Sequence, residues 1–297
     1  MTETLTLKSF AKINLGLEVL GKRPDGYHEL ISVMQSISLH DVLTISKSTC
    51  ISVDGDVPRD LPEGDLVRQA ADLLGETVGR AQGAHLNLRK SIPIGAGLGG
   101  GSSNAACALL GLNQLWEAGM TVDELTPLAA ELGSDVAFFL RGGTALARGR
   151  GHEMSTLPES PRHEVVIAMP EQSLSTARVY GNVRSHHFTD GTATLALAEG
   201  LSDGRLLYSR IRNSLQAPAV KLLPEIETLI AELRRLGAKA SIVSGSGSAC
   251  FGLFTECEPA QQAAADMATA GYWVRTCAFV RAWNGRSPFA ETDGAVS

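Results

Sequence analysis

The chain is missing the features that several large protein classes depend on. Nowhere in its 297 residues does an apolar run approach the length of a membrane-spanning helix. Basic charge is short: 26 Lys and Arg face 32 Asp and Glu, a net charge of −6, so no broad attraction to nucleic acid or an anionic membrane is expected. A basic pocket inside an acidic surface remains compatible with that balance. The five cysteines (50, 107, 250, 257 and 277) are odd in number, widely spaced and without a Cys-x-x-Cys pair. That spacing argues against a disulfide framework or a thiolate metal site and for a reducing compartment. Cys107 and Cys250 sit in apolar runs and read as small buried hydrophobes. Adjacent His186 and His187 have no companions at zinc-like spacing and read as surface residues. The opening Met1-Thr2-Glu3-Thr4 has neither the basic stretch nor the apolar core of a leader, so a cytoplasmic protein is the expectation. No internal repeat is visible.

What the chain has in excess is glycine in one place. Pro93-Ile94-Gly95-Ala96-Gly97-Leu98-Gly99-Gly100-Gly101-Ser102-Ser103 holds five glycines within seven residues and runs into Asn104-Ala105-Ala106 and an apolar stretch. The alternating His85–Lys90 segment upstream is strand-like, and the stretch downstream reads as a buried helix opening near Ser102 or Ser103, with a serine hydroxyl to cap it. Strand, glycine loop and helix N-terminus together suit phosphate, because glycines let backbone amides approach an anion and the helix dipole favours negative charge. A structural turn needs one or two glycines; five would give up backbone entropy for nothing. Known phosphate loops narrow the choice. A Walker loop ends in Gly-Lys-Ser/Thr, and no lysine lies between Lys90 and Lys221. Gly95, Gly97 and Gly100 satisfy G-x-G-x-x-G, but the acid-ended second strand of a dinucleotide fold is replaced by a helix-opening capping box at Thr121–Glu124. The companion motifs of protein kinases are absent.

Along the chain, residues 4–21 read as two strand segments joined near Ser9–Ala11. Pro24-Asp25-Gly26 is a turn, and Tyr27-His28 open the next strand on opposite faces, so at most one of the two rings should meet a given ligand. Short strands follow at 31–39, 41–45 and 51–53, then a helix from Asp65 and the strand before the glycine loop. Helices at 103–118 and 122–132 precede Gly133-Ser134-Asp135-Val136 and a short strand between glycine turns. A second block begins near residue 160. Its strand at 165–170, helices at 204–212, 217–223 and 224–236, hairpin at 240–254, helix at 258–270 and strand at 272–279 suggest a split βαβ, ferredoxin-like sandwich. Residues 181–203 read as a mobile connection, with Tyr180 on a short helix before it. The polar tail after Trp283 reads as disordered. The organisation expected is 1–160, 161–283 and a tail 284–297. Taken alone, Lys12 and Asn14 read as a solvated sheet face, and Asp135 as a helix cap or turn residue.

Three segments in order, Ala11-Lys12-Ile13-Asn14-Leu15, Pro93–Ala106 and Ser244-Gly245-Ser246-Gly247-Ser248, resemble the motifs of the GHMP kinases, the superfamily of galactokinase, homoserine kinase and mevalonate kinase. Arg23-Pro24-Asp25-Gly26-Tyr27-His28 and Gly133-Ser134-Asp135-Val136 are similar to one branch, whose acceptor is a cytidine diphosphate-linked methylerythritol. The resemblance covers nearly the whole chain. It implies a two-domain α+β fold, with an N-terminal domain like domain 2 of ribosomal protein S5 and a ferredoxin-like C-terminal domain. It implies ATP-dependent phosphorylation of the 2-hydroxyl of that acceptor, a step of non-mevalonate isoprenoid precursor synthesis, in a cleft between the domains. By the same resemblance Lys12 and Asp135 match the catalytic pair, and Pro93, Ile94, Gly95, Ala96, Gly97, Leu98, Gly99, Gly100, Gly101, Ser102 and Ser103 match the ATP loop. Asn14 matches a residue of the acceptor site, and Tyr27, His28 and Tyr180 match positions at its cytidine end. Magnesium is implied with ATP, reached by Ser102 or Ser103, with no carboxylate assigned to it. Departures include Ala137 where proline is frequent, Ser214 where an acid follows Asn213, and Ser246-Gly247-Ser248-Ala249 in the third motif.

Other readings remain open at this point. The acceptor could be mevalonate, homoserine or a sugar; the fold could bind ligand without catalysis; or the G-x-G-x-x-G match could mark a dinucleotide-dependent oxidoreductase.

Overall fold

A computed structural model describes residues 4–57, 65–79 and 82–283. Strand β1 (Thr4–Lys22) and strand β2 (His28–Ser48) form a long antiparallel pair, turning through Pro24-Asp25-Gly26. Instead of two short segments, β1 is one strand with a register shift at Phe10/Ala11, and the short strands expected at 31–45 are likewise a single β2. A bulge re-aims side chains without ending a strand, so local alternation breaks while the ladder continues.

Strand β3 (Ser52–Gly55), helix α1 (Leu66–Val78), strand β4 (Gly83–Arg89), helix α2 (Gly100–Leu115), helix α3 (Val122–Leu132), the four-residue helix α4 (Val136–Phe139), strand β5 (Thr144–Gly149) and strand β6 (Glu153–Thr156) follow. The first sheet runs β3-β4-β2-β1, with β5 pairing the N-terminal half of β2 and β6 added to β5. One face of the sheet carries α1, α2 and α3 over a core of Leu7, Leu43, Ile45, Leu74, Leu86 and Leu109. Helix α2 is buried nearly all round, as its unbroken run of small and apolar residues requires. Helix α3 carries the capping box read at Thr121 and Glu124.

The second block opens with β7 (Glu164–Met169), helix α5 (Thr176–Gly181) and helix α6 (Thr192–Ser202). The segment 181–203 is therefore not a loose connection. Ala193, Leu197, Ala198 and Leu201 are buried, and Leu197, Ala198 and Leu201 pack against Ile13, Leu15 and Ile31 of the first sheet. Nor is there a helix at 204–212: a 3-10 turn at Tyr208–Arg210 leads into β8 (Arg212–Asn213), parallel to β1 at Gly16 and Leu17. Ser214 continues that contact, donating its N–H to Leu17 O at 2.8 Å and accepting Val19 N–H on its hydroxyl at 3.2 Å.

Helix α7 (Gln216–Leu222), helix α8 (Glu225–Arg235), β9 (Ala240–Val243), β10 (Cys250–Phe254), α9 (Cys257–Thr269) and β11 (Trp273–Ala278) complete the chain. The second sheet has the order β11-β7-β10-β9, antiparallel throughout, which is the ferredoxin-like arrangement anticipated. Alternate residues of β7 serve two cores. Val165 and Ile167 meet the first sheet, while Val166 and Ala168 face α8 and α9. The residues after β11 return to the first sheet: Val280 N–H donates to Ser36 O at 2.9 Å and Trp283 Nε1–H to Leu140 O at 3.0 Å. The tail 284–297 lies outside the described residues.

Candidate active site

A cavity of about 1270 Å³ opens between the first sheet with its glycine loop and a wall made by α5, residues of the 183–188 segment and the third motif. Lys12, Asn14, Tyr27, His28, Asp135, Tyr180 and residues 93–102 all line it. Ser103 does not; it is 1% exposed, and its N–H makes the first intrahelical bond of α2, to Gly99 O at 2.9 Å.

The glycine loop is shaped by steric need. Gly99 caps α2 with φ +72°, and a Cβ there would stand 2.8 Å from the Phe139 ring and 3.1 Å from Lys12 Cγ. The helix thus opens at Gly100, earlier than the serines suggested, and no side chain caps it. A capping hydroxyl would use up amides that the bare helix end leaves for a ligand. Gly97 has φ +77°, and a Cβ there would lie 2.2 Å from Ser244 O. That close approach lets the third motif seat on the loop, where Ser244 Oγ donates to Gly97 O at 3.0 Å and Ala249 N–H to Ala96 O at 3.1 Å.

Lys12 and Asn14 do share a face of β1, but it is a buried one, 4% and 3% exposed, not a solvated one. Lys12 Nζ donates to Asn14 Oδ1 at 2.7 Å and stands 3.4 Å from Asp135 Oδ2. Asn14 is oriented in turn, donating to Ser32 Oγ at 2.8 Å, which donates to Gly16 O at 2.6 Å. Asp135 occupies the N-cap position of α4 but makes no capping bond, so its carboxylate stays free to face Lys12. The third motif closes the other side, since a Cβ on Gly245 would lie 3.4 Å from both Lys12 Nζ and Asn14 Oδ1. Asn213, next to β1, pins that motif by donating to Val243 O at 3.0 Å and Gly245 O at 2.7 Å.

The far end of the cavity is aromatic. His28 lies 5.3 Å from Tyr180 and 6.3 Å from Phe188, centroid to centroid. Burial, then Lys22, lowers the His28 pKa and favours the neutral ring. Burial, then Asp135, pushes the Tyr180 phenol up, so it keeps its proton. Tyr27 precedes the strand instead of opening it, so strand alternation does not part it from His28 and both rings line the cavity. The Arg150 guanidinium sits 3.7 Å over the Tyr27 ring.

Sequence reading missed Arg150, Lys22 and Phe188. Arg150 had a faint signal, lying between two glycines that both take positive φ and so present it from a turn. The lining includes Lys12, Lys22, Lys90, Arg150 and Arg184 against the carboxylates Asp65 and Asp135. A cationic cavity in a chain of net charge −6 fits polyanionic ligands. Among the described residues no cluster of three or more His, Cys, Asp or Glu could hold a metal, and no helix is long and apolar enough to cross a membrane.

The GHMP kinase N-terminal domain family matches residues 65–143 and the GHMP kinase C-terminal family matches 196–272. A solved homoserine kinase from Cytophaga hutchinsonii shares the fold at TM-score 0.73 and 20% identity, over 95% of this chain and 96% of its own. The chain is a GHMP kinase. More specific likenesses accompany that one. The 4-diphosphocytidyl-2-C-methyl-D-erythritol kinase of Pelotomaculum thermopropionicum is 42% identical over 88% of this chain and 93% of its own. That of Geobacillus kaustophilus is 43% identical over 84% and 88%. A crystal structure of 4-(cytidine 5'-diphospho)-2C-methyl-D-erythritol kinase superposes with TM-score 0.80 at 37% identity, covering 92% of this chain and 99% of that one. The chain belongs to the 4-diphosphocytidyl-2-C-methyl-D-erythritol kinase family.

Proposed function

We propose that this kinase transfers the γ-phosphoryl group of ATP to the 2-hydroxyl of 4-diphosphocytidyl-2-C-methyl-D-erythritol, in non-mevalonate isoprenoid precursor synthesis. The observation that carries the reading is the placement of Lys12 and Asp135, 3.4 Å apart, in one cavity with both the uncapped end of α2 and an aromatic, cationic end. The glycine loop fits a triphosphate: α2 opens on it without a side-chain cap, a Cβ at Gly97, Gly99 or Gly100 would crowd its neighbours, and Lys90 stands beside it.

ATP, when bound, supplies the phosphoryl group, and its magnesium neutralises phosphate charge. Ser102, in the first turn of α2 and lining the cavity, is the hydroxyl we assign to that ion. Asp135 takes the acceptor's hydroxyl proton on its carboxylate. Lys12 faces Asp135 at 3.4 Å and stabilises charge at the reacting oxygens, while Asn14 and Ser32 fix the ammonium's direction. A loose transition state needs little covalent assistance, so positioning and charge supply most of the rate. Neutral His28, Tyr180 and Tyr27 offer stacking faces and polar edges to a pyrimidine, and Lys22 and Arg150 offer charge to the diphosphate. We place the division between the two domains near residue 160, and the enzyme in the cytoplasm with its ATP.

The test compares acceptors in one ATP-consumption assay. The cytidine-containing acceptor should turn over, while mevalonate and homoserine should not. Equal or faster turnover of mevalonate would defeat the acceptor assignment and leave the kinase standing.

A further inference from the structure

Asp41 has no part in the site just described. It lies on β2 with no solvent exposure and does not line the cavity. The hydrogen bonds of its side chain nevertheless lead to the start of the glycine loop. Oδ1 accepts the N–H of Ser91 at 2.7 Å and of Ile92 at 2.8 Å, and Oδ2 accepts the Lys90 ammonium. These donors belong to the three consecutive residues that follow β4. As far as Arg89 the chain is held in register by Val42 of β2; beyond it, the carboxylate takes over the amides of Ser91 and Ile92.

The two outer residues of that trio abut the helix mouth. A Cβ built on Gly100, the first residue of α2, would stand 3.0 Å from Ile92 Cγ2 and 3.2 Å from Lys90 Nζ. Ile92 is 1% exposed and lies in the core between the sheets, so its position is transmitted to Gly100 by packing. Lys90 lines the cavity at the same point.

We propose that Asp41 is a positioning residue for the nucleotide: by holding Ser91, Ile92 and Lys90 it sets the path of the glycine loop and keeps an ammonium at the mouth of α2. The inference rests on the kinase reading above, with the triphosphate at that mouth. It touches no ligand and acts only through the loop and Lys90. A carboxylate suits the task because it accepts two amides on one oxygen and a cation on the other, all charge-assisted.

Asp41→Asn keeps an oxygen for the amides and removes the charge that holds Lys90. Measured with the full chain, the affinity for a non-hydrolysable ATP analogue should fall about tenfold, the loss of one charge-assisted hydrogen bond. The acceptor KM should stay within about twofold, because the acceptor end contacts neither loop entry nor Lys90. Unchanged analogue affinity in the folded variant would overturn the proposal. So would parallel losses in both ligands, since general loosening moves both. Should Asp41→Asn not fold, Asp41→Glu, which keeps the charge but displaces the carboxylate by one methylene, decides: weakened analogue binding with acceptor KM held supports the proposal, and unchanged binding overturns it. A wild-type protein that bound no analogue would instead defeat the kinase reading itself.

Discussion

Burying Lys12 to 4% exposure strips an ammonium of most of its water, and a fold seeking only stability would place an apolar side chain there. The cost is offset by Asn14 at 2.7 Å and, less completely, by Asp135, whose side chain is 35% exposed. Stability and activity should therefore part at this residue. Lys12→Met keeps the stem's volume, and we expect its urea midpoint to equal or exceed that of the wild type, while turnover falls by about two to four orders of magnitude. Asp135→Asn should lose turnover on the same scale with ATP still binding. A Lys12→Met protein that was both unstable and half-active would show the residue to be structural. At the aromatic end of the cavity, where we propose that the cytidine sits, His28 brings a pH dependence of its own. Its pKa lies below the usual 6.5 because burial and Lys22 disfavour the charged ring, so the neutral form dominates at pH 7. Acceptor KM should be flat between pH 8 and 7 and rise as pH falls through that lowered value; in His28→Phe the His28-dependent part of the rise should vanish. An identical acid rise in the variant would assign it elsewhere.

At the scale of elements, the turn between β1 and β2 and the glycine loop make different demands of their glycines. Gly26 has φ +87° with nothing within 4 Å of a Cβ, whereas Gly97 combines φ +77° with Ser244 O at 2.2 Å. Gly26→Ala meets backbone strain alone and should cost about 1 kcal/mol. Gly97→Ala must also displace the backbone of the third motif, so it should cost about 2 kcal/mol more and lower ATP affinity as well. Urea denaturation of the two variants side by side, with ATP binding measured on each, checks the difference. Equal costs would mean that the third motif yields freely. The same loop shows what a sequence can disclose. Its glycine density pointed to a loop set by backbone demands, which Gly97 and Gly99 meet, because that requirement is local, and the ferredoxin-like order of the second sheet followed from element spacing. The start of α2 was misjudged because Gly99 caps it for a tertiary reason, the Phe139 ring and Lys12 stem beside it. Helix α6 escaped notice because its alanines and glycines look like linker until Ile13, Leu15 and Ile31 are there to cover its apolar face. Strand β8 exists only by pairing with a residue almost 200 positions earlier. Lys12 and Asn14 looked like a wet sheet face for the same reason: the third motif that covers them lies far along the chain.

In the whole molecule the two sheets are joined by a seam at which His163 is the titratable centre. It is 3% exposed, its Nδ1–H donates to Pro161 O at 2.7 Å, and its Nε2 accepts the Tyr208 hydroxyl at 2.6 Å, with Phe279 packed on the ring at 5.2 Å. Phe279 N–H donates to His163 O at 3.1 Å, and Phe279 also bridges to Ile37 of β2, so this imidazole sits where the halves are tied. Burial lowers its pKa below 6.5, against an opposing pull from the Pro161 carbonyl. In the unfolded chain the ring takes a proton near the ordinary value; in the folded chain it resists until lower pH. The unfolded state therefore binds more protons between the two values. The ring's neutral fit contributes fully above pH 6.5 and is lost as pH falls through the folded value. His28 and His187, also lowered, act in the same direction, so the wild-type slope alone does not isolate the seam. His163→Gln removes this titration and keeps a hydrogen-bonding side chain. The variant should be less stable than the wild type at pH 7.5, by about 1–3 kcal/mol for disturbed buried bonds and packing, yet lose less on going to pH 5.5. Stability curves that ran parallel between those two pH values would show that the seam tolerates an imidazolium, and the acid sensitivity would then belong to groups such as His28 and His187.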